Sequence, residues 1–122
     1  ISKVFGHGAD TVMIREKAIL SGKGARGLVK SRVVVEDEAL AEVVGITEGH
    51  APGARGHVDC VEIVKDQAVA SAMPAVKVTH PQAQVTHEAA IGRIDPKQLE
   101  TLMAHGLDPE EAVEMIVMGM LR

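Results

Sequence analysis

A mainly β chain, wound as a right-handed parallel β-helix (solenoid) and followed by a C-terminal helical pair, is the fold class this sequence predicts. Three observations carry that expectation. Short Val-rich runs of strand length alternate with Gly, Pro or charged turns. One corner motif, Gly24-Ala25-Arg26-Gly27-Leu28-Val29, recurs 29 residues later as Gly53-Ala54-Arg55-Gly56-His57-Val58. Phe5 is the only aromatic residue among 122, so the core must be built from thin layers of Val, Ile, Leu, Met and Ala, as stacked rungs allow.

The strand-like runs fall at residues 12–14, 18–20, 28–29, 33–35, 43–46, 58–64, 68–70, 76–78 and 84–86. No helical period of useful length separates them, so alternating βαβ units are not expected. The solenoid is therefore expected from about residue 12 to about residue 88, within a first region of residues 1–93. Between the two corner motifs, Glu48-Gly49-His50-Ala51-Pro52-Gly53 reads as a loop inserted into a coil. Near Cys60 the apolar parity changes: Val58 and Cys60 share one strand face, Val61 and Ile63 the other. A bulge or corner there would reconcile the two sets.

Residues 94–122 change character. Asp95-Pro96 places an N-cap before a first-turn proline, with Gln98 where a capping-box partner belongs. Leu99, Leu102 and Met103 form an apolar stripe, and Gly106 supplies a left-handed stop. Asp108-Pro109-Glu110-Glu111 repeats the device, and Val113, Ile116, Val117 and Met120 give the second helix its buried face. Helices are expected near residues 96–105 and 109–121.

Composition excludes several classes. A net charge of −4 advertises no basic face for nucleic acid. No apolar run approaches the roughly 20 residues of a membrane span. The single cysteine rules out an internal disulfide and fits a reducing, cytoplasmic setting.

Gly22-Lys23-Gly24-Ala25-Arg26-Gly27 spells a dinucleotide fingerprint, but strand-like residues follow where the phosphate-binding helix is needed. It is not a P-loop either, because Gly24 stands where a magnesium-binding hydroxyl would. More chemistry resides in Gly56-His57-Val58-Asp59-Cys60 and in Val85-Thr86-His87-Glu88-Ala89-Ala90-Ile91-Gly92-Arg93-Ile94-Asp95. Thiolate, imidazole and carboxylate are metal-ligand side chains. Cys60 reads either as a small buried hydrophobe or as a functional thiol, with His57 close enough in sequence to favour thiolate. His87 shares the parity of Val85 and reads first as a partly buried core histidine. Glu88 reads as a surface charge or a partner of Arg93. His57 and Asp59 share a strand face and are candidates to support a site at Cys60. His50 reads as a loop residue, and His7, His80 and His105 as surface residues. The methionines, most of them in the helical segment, read as packing or partner surface.

The order Gly-His-x-Asp-Cys, His-Glu-Ala, Gly-Arg-Ile-Asp and two short helices resembles the core of the SufB/SufD family of iron–sulfur cluster assembly scaffolds. The resemblance runs from about residue 22 to 121. It implies that Cys60, His87 and Glu88 are cluster-assembly residues, with Cys60 and His87 as metal ligands of a transient iron–sulfur cluster. It also implies a homodimer or a SufB/SufD-type heterodimer, and docking of a SufC-type ABC ATPase on the C-terminal helices, where Met118, Met120 and Leu121 offer an apolar surface. A scaffold of this kind is not itself an enzyme, and the chain carries no nucleotide motif. Two alternatives stay open: a thiol- or zinc-dependent enzyme using Cys60, His87 and Glu88 within one chain, and a purely structural SufD-like subunit.

Overall fold

The computed structural model describes residues 1–120, the side chain of Met120 excepted. Seven strands come first: β1 (Ser2–Gly6), β2 (Thr11–Leu20), β3 (Arg26–Val35), β4 (Leu40–Gly49), β5 (Arg55–Val64), β6 (Val69–Val78) and β7 (Gln84–Arg93). Two helices follow, α1 (Pro96–Ala104) and α2 (Pro109–Met120). Successive strands alternate between two parallel sheets, ordered β1-β3-β5-β7 and β2-β4-β6. Ser2 pairs with Ser31, Ser31 with Cys60, and Cys60 with Ala89, so equivalent positions stack in columns. Contacts between neighbouring coils accordingly span 29 residues, the interval of the corner motif.

The solenoid, about three coils, begins at Ser2, one strand earlier than the apolar runs indicate. Those runs also merge. Residues 12–14 and 18–20 both belong to β2, with Arg15 and Lys17 exposed between them. On a strand buried on one side, polar residues at alternate positions continue the strand.

Segment 48–53 is no inserted loop. Gly49 closes β4, and the turn that follows is an ordinary corner kept in register by His50 N–H donating to Leu20 O at 2.9 Å and Thr79 N–H to Gly49 O at 3.0 Å. Gly24 and Gly53 hold the equivalent left-handed position there, at φ 68° and 72°. At the opposite corner the left-handed residues are Gly8, Asp37 and Asp66, with φ 61°, 60° and 58°. Asp37 accepts from Gly8 N–H at 2.8 Å and Asp66 from Asp37 N–H at 3.2 Å. Each aspartate thus satisfies the exposed amide of the coil before it.

Inside the tube, Val29, Val33, Val35, Val43, Val58, Cys60 and Val64 are buried together. A second apolar layer lies outside the β1-β3-β5-β7 sheet, where Val34, Ile63 and Val117 are buried with Val61, Ile94 and Val113 around them. This layer explains the parity change at Cys60 without a bulge. β5 is paired residue for residue with β3 and β7, and where Val61 and Ile63 point outward α2 covers that face as the core covers the other.

Asp95 caps α1 by accepting from Lys97 N–H at 2.9 Å. Gly106 (φ 98°) ends the helix, with Gly106 N–H donating to Met103 O and Leu107 N–H to Leu102 O, a Schellman stop. At α2 the capping box closes fully: Glu111 N–H donates to Asp108 and Asp108 N–H to Glu111, at 2.9 and 3.1 Å. Ala112, Ile116 and Val117 bury the inner face of α2, while Met103 on α1 stays exposed. No helix among the described residues is long and apolar enough to cross a membrane.

Candidate functional site

Cys60 sits in β5 with its side chain turned into the tube and fully buried. Ser31 lies beneath it on β3 and Ala89 above it on β7. Across the core the space is left by Gly45, where an added Cβ would stand 3.3 Å from the Cys60 sulfur. Burial pushes the thiol above its ordinary value of 9.0; the Ser31 hydroxyl opposes the rise, and the charges of Glu62, Asp59 and Glu16 reinforce it. His57 therefore does not make Cys60 a ready thiolate in this state. It lies on the opposite face of β5, where its Nδ1 meets the Thr86 hydroxyl at 2.7 Å.

Asp59 shares that outer face. It forms a two-pronged pair with Arg32, at 3.1 and 2.6 Å. The hydrogen bond from Arg32 holds its carboxyl below the ordinary 3.8 despite partial burial. His57 and Asp59 thus share a face, as expected, but a face from which Cys60 points away.

His87 pairs with Val58 and has the inward parity of Val85. It is nevertheless exposed, because among the described residues β7 is the last rung of its sheet and no coil covers it. From Cys60 it is displaced by one strand spacing, about 4.8 Å, and two residues, about 6.6 Å. Glu88 pairs with Asp59 on the outer face, exposed. Arg93 does not pair with it, donating instead to Asp66 O at 3.1 Å. The three residues do fall on neighbouring rungs, Cys60 and His87 inward and Glu88 outward. Among the described residues no three His, Cys, Asp or Glu side chains converge closely enough to hold a metal ion.

One residue at this place escaped the sequence reading. Glu62 follows Val58 and Cys60 at the next inward position of β5, is 0% exposed, and among the described residues neither carboxylate oxygen has a hydrogen-bond partner. Burial pushes its carboxyl from 4.5 up to about 7, against the pull of Arg32. The signal was present: strict alternation from Val58 through Cys60 to Val64 puts Glu62 inside, but the assumed bulge hid it.

On the helices, Met118 and Met115 are exposed. With Leu107, Glu111, Glu114 and Gly119 they line a shallow concavity of about 500 Å³. Met120's side chain and Leu121 lie outside the described residues.

Fold and site together define a parallel β-solenoid module, braced on one sheet by a helical pair, with its only thiol turned into the tube one rung below an open end. Residues 2–120 match the family model described as the SUF system FeS cluster assembly, SufBD core domain, and the chain belongs to that family. It is 47% identical over 112 residues to an iron-sulfur cluster assembly SufBD family protein of Methanocaldococcus jannaschii, covering 92% of this chain and 35% of the relative. A protein of the same description from Pyrococcus horikoshii is 47% identical over 120 residues, covering 98% of this chain and 37% of the relative. One from Staphylococcus aureus is 36% identical over 72 residues, 58% of this chain and 16% of the relative. The chain thus spans about a third of the length of the first two relatives.

Proposed function

We propose that this chain is part of a scaffold on which an iron–sulfur cluster is assembled and then given away, without catalytic turnover of its own. The observation that carries the reading is the position of Cys60. The only thiolate source in the chain faces the interior one rung below the uncapped end of a sheet, and the inward-facing His87 lies on that last rung.

A stably held cluster normally takes four thiolates, and this chain offers one. Two copies, or a SufB-type and a SufD-type chain, meeting through the unpaired strand edges would bring two thiolates and two imidazoles together. Small thiols, sulfide or water would complete the set. Such a hold is weak, which suits release. Glu88, exposed on the outer face beside the same rung, offers a hard oxygen ligand to ferrous iron on arrival. Buried as it is here, Cys60 needs the cover above it to move before it reacts. A SufC-type ABC ATPase docked on α2 around Met118, with Met120 and Leu121, would supply that movement. A free thiol handling iron and sulfide favours a reducing compartment, and the cytoplasm fits that requirement.

The reading of Cys60, His87 and Glu88 as a one-chain enzyme site gains no support from the geometry, since Glu88 and Cys60 project from opposite faces. Anaerobic reconstitution with iron and sulfide tests the proposal through visible absorbance. The wild-type protein with its partners is expected to develop cluster bands, and Cys60→Ser and His87→Ala to lose them with little change in melting temperature. Normal assembly by both variants would overturn it.

A further inference from the structure

Glu62 has no role in the reading above, and its surroundings are unusual for a glutamate. A fully buried carboxylate with both oxygens unpartnered costs several kcal/mol as an anion, so such groups are found where something else completes them. Its inward neighbours on β5 are Cys60 and Val64. Directly along its column lie Val33 on β3 and Ile91 on β7, neither of which can donate a hydrogen bond. Arg32, whose charge pulls on Glu62, is committed on the outer face of the sheet to Asp59. Cys60 is the one side chain next along that inward face with a proton to lose and a lone pair to give.

We infer that Glu62 and Cys60 together form the interior binding site for the incoming divalent iron, the carboxylate supplying the hard ligand and the sulfur the soft one. The inference rests on the iron–sulfur reading and extends it by a residue which that reading does not use. Inward positions two residues apart on one strand lie about 6.6 Å from each other at their Cα atoms, a span that one metal ion bridges with a Cys and a longer Glu side chain. Charge favours the arrangement. Binding M²⁺ releases the Cys60 proton, and the Glu62 proton wherever the carboxyl still holds it, to bulk buffer and forms one S–M and one O–M bond, so a thiolate, a carboxylate and a dication bring no net charge into the core. Neither ligand then remains an unpaired buried charge. Two protein ligands leave the other coordination positions to water or sulfide, in keeping with the lack of any three-residue metal cage among the described residues.

The cover over this pair is one rung thick. Ala89 stacks over Cys60 and Ile91 over Glu62, both on β7, whose far edge is unpaired among the described residues. Displacing that single strand opens the pair, and His87 on the same strand stands ready as a third ligand from within the chain.

Anaerobic titration with Co²⁺, a spectroscopic stand-in for Fe²⁺, tests the inference. A thiolate-to-cobalt charge-transfer band in the near ultraviolet reports Cys60 ligation, and the absence of Trp and Tyr leaves that region clear. The wild-type protein is expected to develop the band. Glu62→Gln is expected to need at least ten times more Co²⁺ for half-saturation, and Glu62→Met, which fills the site with an apolar side chain of similar length and keeps the core packed, to do the same. Cys60→Ser should lack the band, and the exposed Glu42→Gln should titrate as wild type. No band in wild type, or wild-type titration by the Glu62 variants, overturns the inference. If clusters still assemble on Cys60→Ser, the functional reading itself falls. If assembly depends on Cys60 while the Glu62 variants take up Co²⁺ unchanged, only the role of Glu62 falls.

Discussion

Glu62 should make the metal-free protein lose stability as pH rises, the opposite of what most carboxylates do. Its carboxyl titrates near 7 in the fold against 4.5 when solvated. Between those values the folded state therefore holds a proton that the unfolded state has released. Stability follows the difference in bound protons, unfolded minus folded, so it falls as pH climbs through this window. At about 1.4 kcal/mol per pH unit, the full rise corresponds to about 3 kcal/mol. Integrated from pH 5 to pH 8 alone, the loss is about 2.5 kcal/mol. Other shifted carboxylates do not confuse the reading. Lys17, then His50, holds Glu48 below 4.5, and Arg32 holds Asp59 below 3.8. Their stabilisation is present above those values and is lost only as pH falls through still lower ones, outside the window of Glu62. The measurement is urea unfolding followed by circular dichroism, with reductant and chelator, at pH 5 and pH 8. Wild type should lose about 2.5 kcal/mol between the two relative to Glu62→Gln, whose amide does not titrate. Parallel pH dependences in the two proteins would refute the burial argument.

Three further outcomes are expected, two from the packing and one from the proposed docking surface. Gly45→Ala should cost about 1–3 kcal/mol by overpacking, because its new methyl would stand 2.9 Å from Val58 Cγ1 and 3.3 Å from the Cys60 sulfur; the melting temperature reads it. Asp66→Ala should cost about 1–2 kcal/mol, since alanine at φ 58° is strained and the Asp37 N–H loses its acceptor; Asp66→Gly should recover part of that loss. Met118→Asp combined with Met120→Asp should abolish co-purification with a SufC-type ATPase while leaving the sheet circular-dichroism signal intact, and unchanged binding would move the docking surface off α2.

The parts of this fold that announce themselves locally could be read directly. Asp95-Pro96 and Asp108-Pro109 mark helix starts because capping is settled within four residues, and both caps are formed. The repeated Gly-Ala-Arg-Gly corner disclosed the coil length, since a left-handed turn with its amide bonded to the next coil admits few residues other than glycine. What stayed hidden depends on a third layer. Val61 and Ile63 look misplaced on β5 until α2 is known to lie over them, and inventing a bulge to accommodate them obscured the inward position of Glu62. Glu48 and His50 look like loop residues because they are polar, yet Glu48 lies within β4 and is held by Lys17 at 2.8 Å and His50 at 3.0 Å. His87 faces inward by parity and yet is exposed, because no coil lies beyond β7; parity reports direction, and burial depends on neighbours that sequence does not reveal.

A solenoid separates chemistry by face as a globular pocket does not. Along one outer column Lys30, Asp59 and Glu88 stack, and along the adjacent inner one Ser31, Cys60 and Ala89. In the proposed scaffold, approach and holding would fall on opposite sides of the same strands. In the proposed scaffold a hydrated cation would meet the exposed Glu88 carboxylate on the outer side, whereas Cys60 and Glu62 are buried within. Passage from one side to the other cannot go through the sheet, because its backbone hydrogen bonds are fully engaged between β3, β5 and β7. In the proposed scaffold it would go around β7, whose Ala89 and Ile91 stack over Cys60 and Glu62. For the proposed transfer role, a site closed by one strand whose far edge is unpaired among the described residues would offer a lower barrier to release than a ligand cage within a packed core.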